Sequence, residues 1–468
     1  MLYIILIVVY LLIAIAIVIS LLINGMRPSK TLAWLLAIFT IPVGGILFYF
    51  MLGRNRRQNE LLILREGTFT DPLVSGANYT HETNGTYYKI KSLIQKNCRL
   101  PPTGNNELKL LKDGKTTFEA IFEAMENAHV YIHLQYYIYE EGELADRLFR
   151  LFREKIAKGV KIRMIYDGIG SFSLSKSYLK DLKSIGVEVY PFLPFRFGRF
   201  LSSVNYRNHR KIIVVDGEVA FTGGINISDK YLKGDPTLGK WHDMHLQLRG
   251  PAVLYLNTVF AMDWYLVSEK KLEASTTYKI PYTEGQPINV QIVASGPDDN
   301  FPTIEQVYFS MINSAKKYIY ITNPYIIPGQ PILTALQTAA LSGIEVRLLL
   351  SEQADSKLVN WSVRSYFESL LKSGVKIYLF PDGFLHSKIV VSDDHICTIG
   401  TANIDVRSFE QNYEVNAVIY DKKFAVLLKD DFIRDCGKSK ELNYYQHKKR
   451  PWTHKLKEGA AKIFSPIL

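Results

Sequence analysis

Two stretches of this chain place the same reactive residue types at the same spacing. "NHRKIIVVDGEVAFTGGIN" covers residues 208–226 and "LHSKIVVSDDHICTIGTAN" covers 385–403. Each reads His, one residue, Lys, four residues, Asp, six residues, Gly, then Asn three positions on. The first copy is His209, Lys211, Asp216, Gly223 and Asn226; the second is His386, Lys388, Asp393, Gly400 and Asn403. An imidazole titrates near neutrality and can act as nucleophile or as general acid and base. A single His-Lys pair is most simply a satisfied His beside a surface Lys. Duplication changes that, because two similar halves meeting face to face would bring both pairs to one site.

Two imidazoles and two fixed positive charges suit a phosphodiester. One imidazole attacks phosphorus and becomes phosphohistidine, while the other protonates the leaving alkoxide and then deprotonates the incoming hydroxyl. Lys211 and Lys388 neutralise the nonbridging oxygens, and Asn226 and Asn403 donate further hydrogen bonds to them. With lysines in the place of a metal, this chemistry calls for no metal and no cofactor. An attacking imidazole also needs its second nitrogen held, and a carboxylate is the natural holder. Glu414 in "NYEVN" lies 28 residues past His386, and Asp243 in "WHDMH" lies 34 past His209, so each half is expected to hold its own histidine. Reading His242, Asp243 and His245 as metal ligands is opposed by strand alternation, which turns His242 away from the other two.

The elements that must position these groups are also legible. "NHRKIIVVDGEVAF" reads as two strands joined by a tight turn at Asp216-Gly217. His209 and Lys211, two apart, share a strand face, whereas Asp216 sits out of phase at the turn, as Asp393 does in "SDD". The aspartates therefore organise the turns or support the site from behind the reacting groups. The repeat is wider than the motif: "AHVYIHLQYYIYEEG" matches "AKKYIYITNPYIIPG", and "LKSIGVEVYPF" matches "LKSGVKIYLFP". Short β-branched runs alternate with amphipathic helical segments, which predicts an α/β fold of two similar lobes with mixed, largely parallel sheets. Asp167 in "IYDGIGS" ends one predicted strand, as a turn residue or at a ligand crevice.

The 468 residues are 47% hydrophobic and carry 56 Lys+Arg against 45 Asp+Glu, a net charge of +11. An anionic partner follows, either phospholipid headgroups or nucleic acid. The three cysteines, Cys98, Cys397 and Cys436, have neither disulfide nor metal-site spacing. The front end favours lipid. Residues 2–23 hold no charge and residues 31–53 form a second apolar run, together a transmembrane hairpin, with a kink expected at "IPVGG". Arg54, Arg56 and Arg57 outweigh Arg27 and Lys30 of the short loop, which puts the main body in the cytoplasm.

The tail "PWTHKLKEGAAKIFSPIL" places Trp452, Leu456, Ala460, Ile463, Phe464 and Ile467 on one helical face and Lys455, Lys457, Glu458 and Lys462 on the other, an interfacial helix by pattern. In "LPFRFGRFLSSVNYRNHR", Phe195, Phe197 and Phe200 interleave with Arg196 and Arg199, as either a lipid-facing segment or a solvated basic loop. The expected organisation is a hairpin at 1–53, a linker at 54–107, lobes at 108–285 and 286–446, and a basic amphipathic helix at 447–468.

The doubled His-x-Lys-x4-Asp motif, with its trailing Gly and Asn, resembles the phospholipase D superfamily. "RPSKTLAWLLAIFTIPVGGILFYFMLGRNRR", "HSKIVVSDDHICTIGTANIDVRSFEQNYEVN" and the "RPW…FSPIL" tail are similar to the bacterial cardiolipin synthases. That resemblance implies two lobes sharing one active site and a ping-pong transfer joining two phosphatidylglycerols into cardiolipin with release of glycerol. It also implies a multi-pass protein of the bacterial inner membrane that acts on lipid and not on nucleic acid. It makes His209 the nucleophile and His386 the acid and base, and counts Asp216 and Asp393 with the active site. A phospholipase D or a nuclease would use the same chemistry with water.

Overall fold

The computed structural model describes residues 1–23, 28–49, 87–193, 206–272 and 288–466. Residues 54–86 of the expected linker, the Phe195–Phe200 aromatic-basic cluster and the junction 273–287 lie outside the described residues. The first half of the repeat supplies β1 (Thr103–Leu111), β2 (Tyr131–Tyr136), β3 (Lys161–Asp167), β4 (Glu188–Phe192), β5 (Arg207–Asn208), β6 (Ile212–Val215), β7 (Val219–Gly223), β8 (Trp241–His242) and β9 (His245–Arg249). The second supplies β10 (Ile288–Ser295), β11 (Tyr318–Asn323), β12 (Ile326–Ile327), β13 (Glu345–Ser351), β14 (Lys376–Phe380), β15 (Phe384–Leu385), β16 (Ile389–Ser392), β17 (Ile396–Gly400), β18 (Ile404–Asp405), β19 (Asn412–Tyr420) and β20 (Lys440–Glu441).

One sheet path runs β4-β3-β2-β6-β7-β9-β1-β10-β19-β17-β16-β11-β13-β14-β20. Leaving aside β20, the order repeats itself from either edge, and the centre of this symmetry is the antiparallel pair β1–β10. Parallel pairing occurs in β2-β3-β4, in β11-β13-β14 and in three two-residue bridges. The remaining pairings are antiparallel and outnumber them, so the sheet is mixed but not largely parallel as expected. Each motif is itself a hairpin, and strands joined by a tight turn must run antiparallel. Every residue of β2 and of β11 is buried, as befits central strands covered on both faces.

Two expected boundaries move. Helix Tyr88–Cys98 sets Ile90, Ile94 and Cys98 at four-residue steps into the core, and β1 starts at Thr103, so structure begins well inside the expected linker. At the front, helix Leu2–Ile23 is long and apolar enough to cross a membrane. The second run starts earlier than expected and is divided: helix Pro28–Thr40 ends ahead of Pro42, and helix Pro42–Phe48 follows. The runs pack together through Ala14, Ile17, Leu21, Ile38 and Tyr49, and the Tyr10 hydroxyl donates to the Ile38 carbonyl at 2.8 Å.

The motif turns explain their aspartates. Asp216 and Gly217 both have positive φ, 53° and 71°, and so do Asp393 and Asp394, 51° and 59°. This is the left-handed geometry of a two-residue hairpin, which Asp tolerates better than most residues. The Asp216 carboxylate accepts from the backbone amides of His129, Val130 and Tyr131 at 2.6, 2.9 and 2.7 Å. Asp393 does the same for Lys316, Lys317 and Tyr318 at 2.6, 2.9 and 3.0 Å. Each aspartate thereby ties its turn to the strand beside it, at the end of β6 or β16 away from the histidine. These bonds support the reading of both aspartates as organisers of the turns. Asp216→Ala and Asp393→Ala strand three amides each and should destabilise the protein by about 1–3 kcal/mol, read as a lower unfolding midpoint. A midpoint equal to that of the unaltered protein would refute the tie.

Candidate active site

The His-x-Lys segments do not lie within strands, contrary to the expectation of a shared strand face. His209 to Lys211 fall in a break between β5 and β6, and His386 to Lys388 in a break between β15 and β16. The break has a topological cause. β6 and β16 pair within their own half, but β5 pairs in parallel with β19, and β15 with β8, across the halves. Each motif segment therefore bridges from one half to the other.

Register then decides which carboxylate meets which imidazole. Asn208 is opposite Tyr413, so the next residues, His209 and Glu414, come together. Leu385 is opposite His242, so His386 meets Asp243. His209 Nδ1 lies 3.0 Å from both Glu414 oxygens, and His386 Nδ1 lies 2.7 Å from Asp243 Oδ2. The expectation that each half holds its own histidine is overturned: the holders are exchanged. Backbone bonds enforce the exchange, His209 N–H to the Tyr413 carbonyl at 2.9 Å and His386 N–H to the His242 carbonyl at 2.7 Å. Each carboxylate fixes the ring proton on Nδ1 and leaves the Nε2 lone pair for chemistry.

The two poles are built differently. Thr401 donates its hydroxyl to Glu414 Oε2 at 2.5 Å, and the Asn412 amide donates to Oε1 at 3.1 Å. The first half has Gly224 where the second has Thr401, and a Cβ there would come within 2.1 Å of the Asp243 carboxylate. Tyr137 lies 4.9 Å from the His209 ring, and the His386 pole is more aromatic still: Trp241 and Phe384 lie 5.3 and 5.6 Å from its ring, and the Tyr231 hydroxyl is 3.3 Å from Nδ1. Neither Thr401, Asn412 nor Tyr231 was legible beforehand. The one available signal was the paired difference across the repeat, Gly224 with Asp243 against Thr401 with Glu414.

Both lysines are buried, and each curls back to donate to the carbonyl of its own motif histidine, Lys211 Nζ to His209 O at 2.8 Å and Lys388 Nζ to His386 O. Asn226 donates to the Tyr231 hydroxyl at 3.3 Å and Asn403 to the Tyr325 hydroxyl at 2.9 Å, which sets both amides beside the poles. His242 packs edge-on to Phe380 at 4.8 Å, while both ring nitrogens of buried His245 lack a partner among the described residues. With Asp243 committed to His386, these three do not converge on a common ligand.

Behind the poles lies a buried brace. Arg210 pairs with Asp263 at 2.7 Å and donates across the halves to the carbonyls of Glu414 and Ser295 at 3.1 and 3.3 Å. Asp167, at the end of β3, accepts from the Ile169, Gly170 and Asn208 amides and from the Arg207 guanidinium. It is both a turn residue and the anchor of the segment entering His209.

Burial drives both histidines, both lysines and Glu414 toward their neutral forms. It lowers His209 well below the usual imidazole value and His386 to about 3, with the lysine charges adding to the effect. It lowers Lys211 to about 7 and Lys388 to about 8 and raises Glu414 to about 7. Each imidazole feels both ammoniums, and Lys211 feels both carboxylates, so the two poles share one electrostatic site. An anion arriving between them would restore the charge on the lysines.

The doubling of the chain is also seen in the comparisons, where one family domain matches a segment in each half. The solved structure of phosphatidylserine synthase from Haemophilus influenzae Rd KW20 has the same fold, with a TM-score of 0.63 over 81% of this chain and all of that one, at 16% identity. The family described as "Cardiolipin synthase, PLD-like domain" matches residues 121–264 and 308–436, and "Phospholipase_D-nuclease N-terminal" matches 4–54. Cardiolipin synthases of Halalkalibacterium halodurans and Geobacillus sp. are each 40% identical, over 94% and 97% of this chain and 90% and 91% of their own lengths. Cardiolipin synthase 2 of Bacillus anthracis is 40% identical over 94% of this chain and 87% of its own. The chain belongs to the cardiolipin synthases of the phospholipase D superfamily.

Glu414→Gln removes the charge that orients His209 and should lower kcat about 100- to 10,000-fold. A Glu414→Gln variant that keeps the kcat of the unaltered protein would break the assigned pairing. In the empty site the lysines lose their protons as pH rises through about 7 for Lys211 and about 8 for Lys388. The affinity for dimethyl phosphate, a monoanion throughout that range, should therefore fall from pH 7 to pH 9, with proton uptake on binding. Calorimetry in two buffers of different ionisation enthalpy checks both, and a pH-independent affinity contradicts the assignment.

Proposed function

We propose that this chain is a phosphatidyltransferase that condenses two phosphatidylglycerols into cardiolipin and glycerol. The observation that carries the reading is the exchanged pairing of His209 with Glu414 and His386 with Asp243 around two buried lysines. In the first step His209 Nε2 attacks the lipid phosphorus. The N–P bond forms, the P–O bond to the terminal glycerol breaks, and His386, which takes up a second proton from solvent as the phosphate anion enters, gives that oxygen its Nε2 proton. In the second step His386 takes the proton from a glycerol hydroxyl of another phosphatidylglycerol, whose oxygen displaces His209 from phosphorus. Lys211 and Lys388, with Asn226 and Asn403, bear on the nonbridging oxygens, which gain charge in both transition states.

His209 is assigned as nucleophile because its carboxylate holder is the more firmly fixed, by Thr401 and Asn412. Two lobes, one on each side of the β1–β10 seam, form the catalytic body. The apolar helices Leu2–Ile23 and Pro28–Thr40 with Pro42–Phe48 form a membrane hairpin, and the arginines from 54 onward keep that body in the cytoplasm.

Purified protein incubated with phosphatidylglycerol should yield cardiolipin and glycerol in equal amounts. Phosphatidic acid in place of cardiolipin would mean that water is the acceptor and would refute transfer. His209→Ala should abolish the reaction, and the unaltered protein denatured during turnover should carry the phosphatidyl adduct on His209, detected by mass spectrometry. Turnover surviving in His209→Ala would exclude this mechanism.

A further inference from the structure

The C-terminal helix Trp452–Lys462 is mounted with its polarity reversed. It packs on helix Lys357–Lys372, yet the side turned to the protein carries Glu458 and Ala461, which are 3% and 2% exposed. Arg450 grips Glu458 at 2.7 Å and reaches Glu368 on the underlying helix at 2.7 Å. Lys457 lies over the Trp361 ring and Lys462 over Tyr366, and Ser465 bonds the Ser362 and Tyr366 hydroxyls at 3.1 Å. Gln411 fastens the end of the tail by donating to the Pro466 carbonyl at 3.0 Å.

The apolar residues point the other way. Trp452, Leu456 and Ile463 are 73%, 63% and 76% exposed, and at about 100° per residue they fall on one stripe opposite Ala461. Phe464 extends the patch at 45% exposed. A terminal helix that served only to cover its own domain would turn this stripe inward. Exposed Lys448, Lys449 and Lys455 flank it, so the surface pairs an insertable apolar ridge with cations, the complement of an anionic bilayer.

We propose that the Trp452–Leu456–Ile463 stripe is a docking surface for the face of an anionic phospholipid bilayer, held rigidly to the catalytic body by the Arg450–Glu458–Glu368 clasp. Gln411, which pins the tail, immediately precedes Asn412 and the strand carrying Glu414, so docking also fixes how the His209 pole stands relative to the membrane. The surface is a second membrane contact, independent of the N-terminal hairpin and of the reaction catalysed.

The test is a nitroxide at Leu456→Cys in the full chain, where the natural cysteines are all buried. In nanodiscs containing phosphatidylglycerol, the label should lose collisions with a polar nickel chelate and gain them with oxygen, relative to detergent-solubilised protein. A label at Lys180→Cys, on the exposed side of helix Lys176–Ser184, should not change. Lys449→Glu and Lys455→Glu should each weaken the docked state about fivefold on these discs. A label at Leu456→Cys as water-exposed in the discs as in detergent overturns the proposal. So does protection in detergent that grows with protein concentration, because the stripe would then seat a second copy of the chain. Neither result bears on cardiolipin formation, which is read separately.

Discussion

Two parallel bridges of two residues each, β5 on β19 and β15 on β8, carry the organisation of the site. They tie each histidine segment to the opposite half, in a register that leaves His209 against Glu414 and His386 against Asp243. Neither half is complete alone, because each imidazole takes its orientation from a carboxylate that the other half folds. A slip of one residue in either bridge would turn the carboxylate to the other side of its strand and leave a buried imidazole without a holder.

Burial gives the arrangement its electrostatic character. His209, Lys211, Asp243, Lys388 and Glu414 are all buried. Lysines that fall to about 7 and about 8, beside a carboxyl raised to about 7, describe a site under tension when empty. A phosphate monoanion relieves that tension, and the extra charge on its oxygens in the transition state relieves it further, which is the sense in which such a site favours reaction over mere binding. The tension is borne by the protein around it. The buried Arg210–Asp263 pair, the Asp167 anchor and the two aspartate-tied hairpins hold the backbone from which the reactive groups project. Removing one member of a buried pair such as Arg210–Asp263 leaves an uncompensated charge worth about 3–5 kcal/mol, so this framework constrains sequence as strongly as the reactive groups do.

Much of this was legible in the chain. The doubled motif named the reactive groups, the Asp-Gly dipeptide named a hairpin, and the broken apolar run at Pro42 foretold the divided helix. The turn role of Asp216 and Asp393 followed from their phase on the strand. Besides the histidine holders and the strand placement of the motifs, two readings went astray for identifiable reasons. Parallel pairing was overestimated because alternating strands and helices hide the hairpins between them. The linker was drawn too long because helix Tyr88–Cys98 follows a polar stretch and is itself mostly polar, with its core contacts reduced to Ile90, Ile94 and Cys98.

Composition, periodicity and the repeat thus determined by themselves which side chains could do chemistry, that they came in two matched sets, and which segments were apolar enough for a bilayer. Those are properties of single residues and of neighbours within a few positions. Only the tertiary structure decided which carboxylate serves which histidine. Glu414 and Asp243 lie 28 and 34 residues from the histidines of their own halves, and at such separations chain distance says nothing about contact. The pairing is set by hydrogen-bond register between strands 205 and 143 residues apart, an interaction that exists only after both halves have folded against each other.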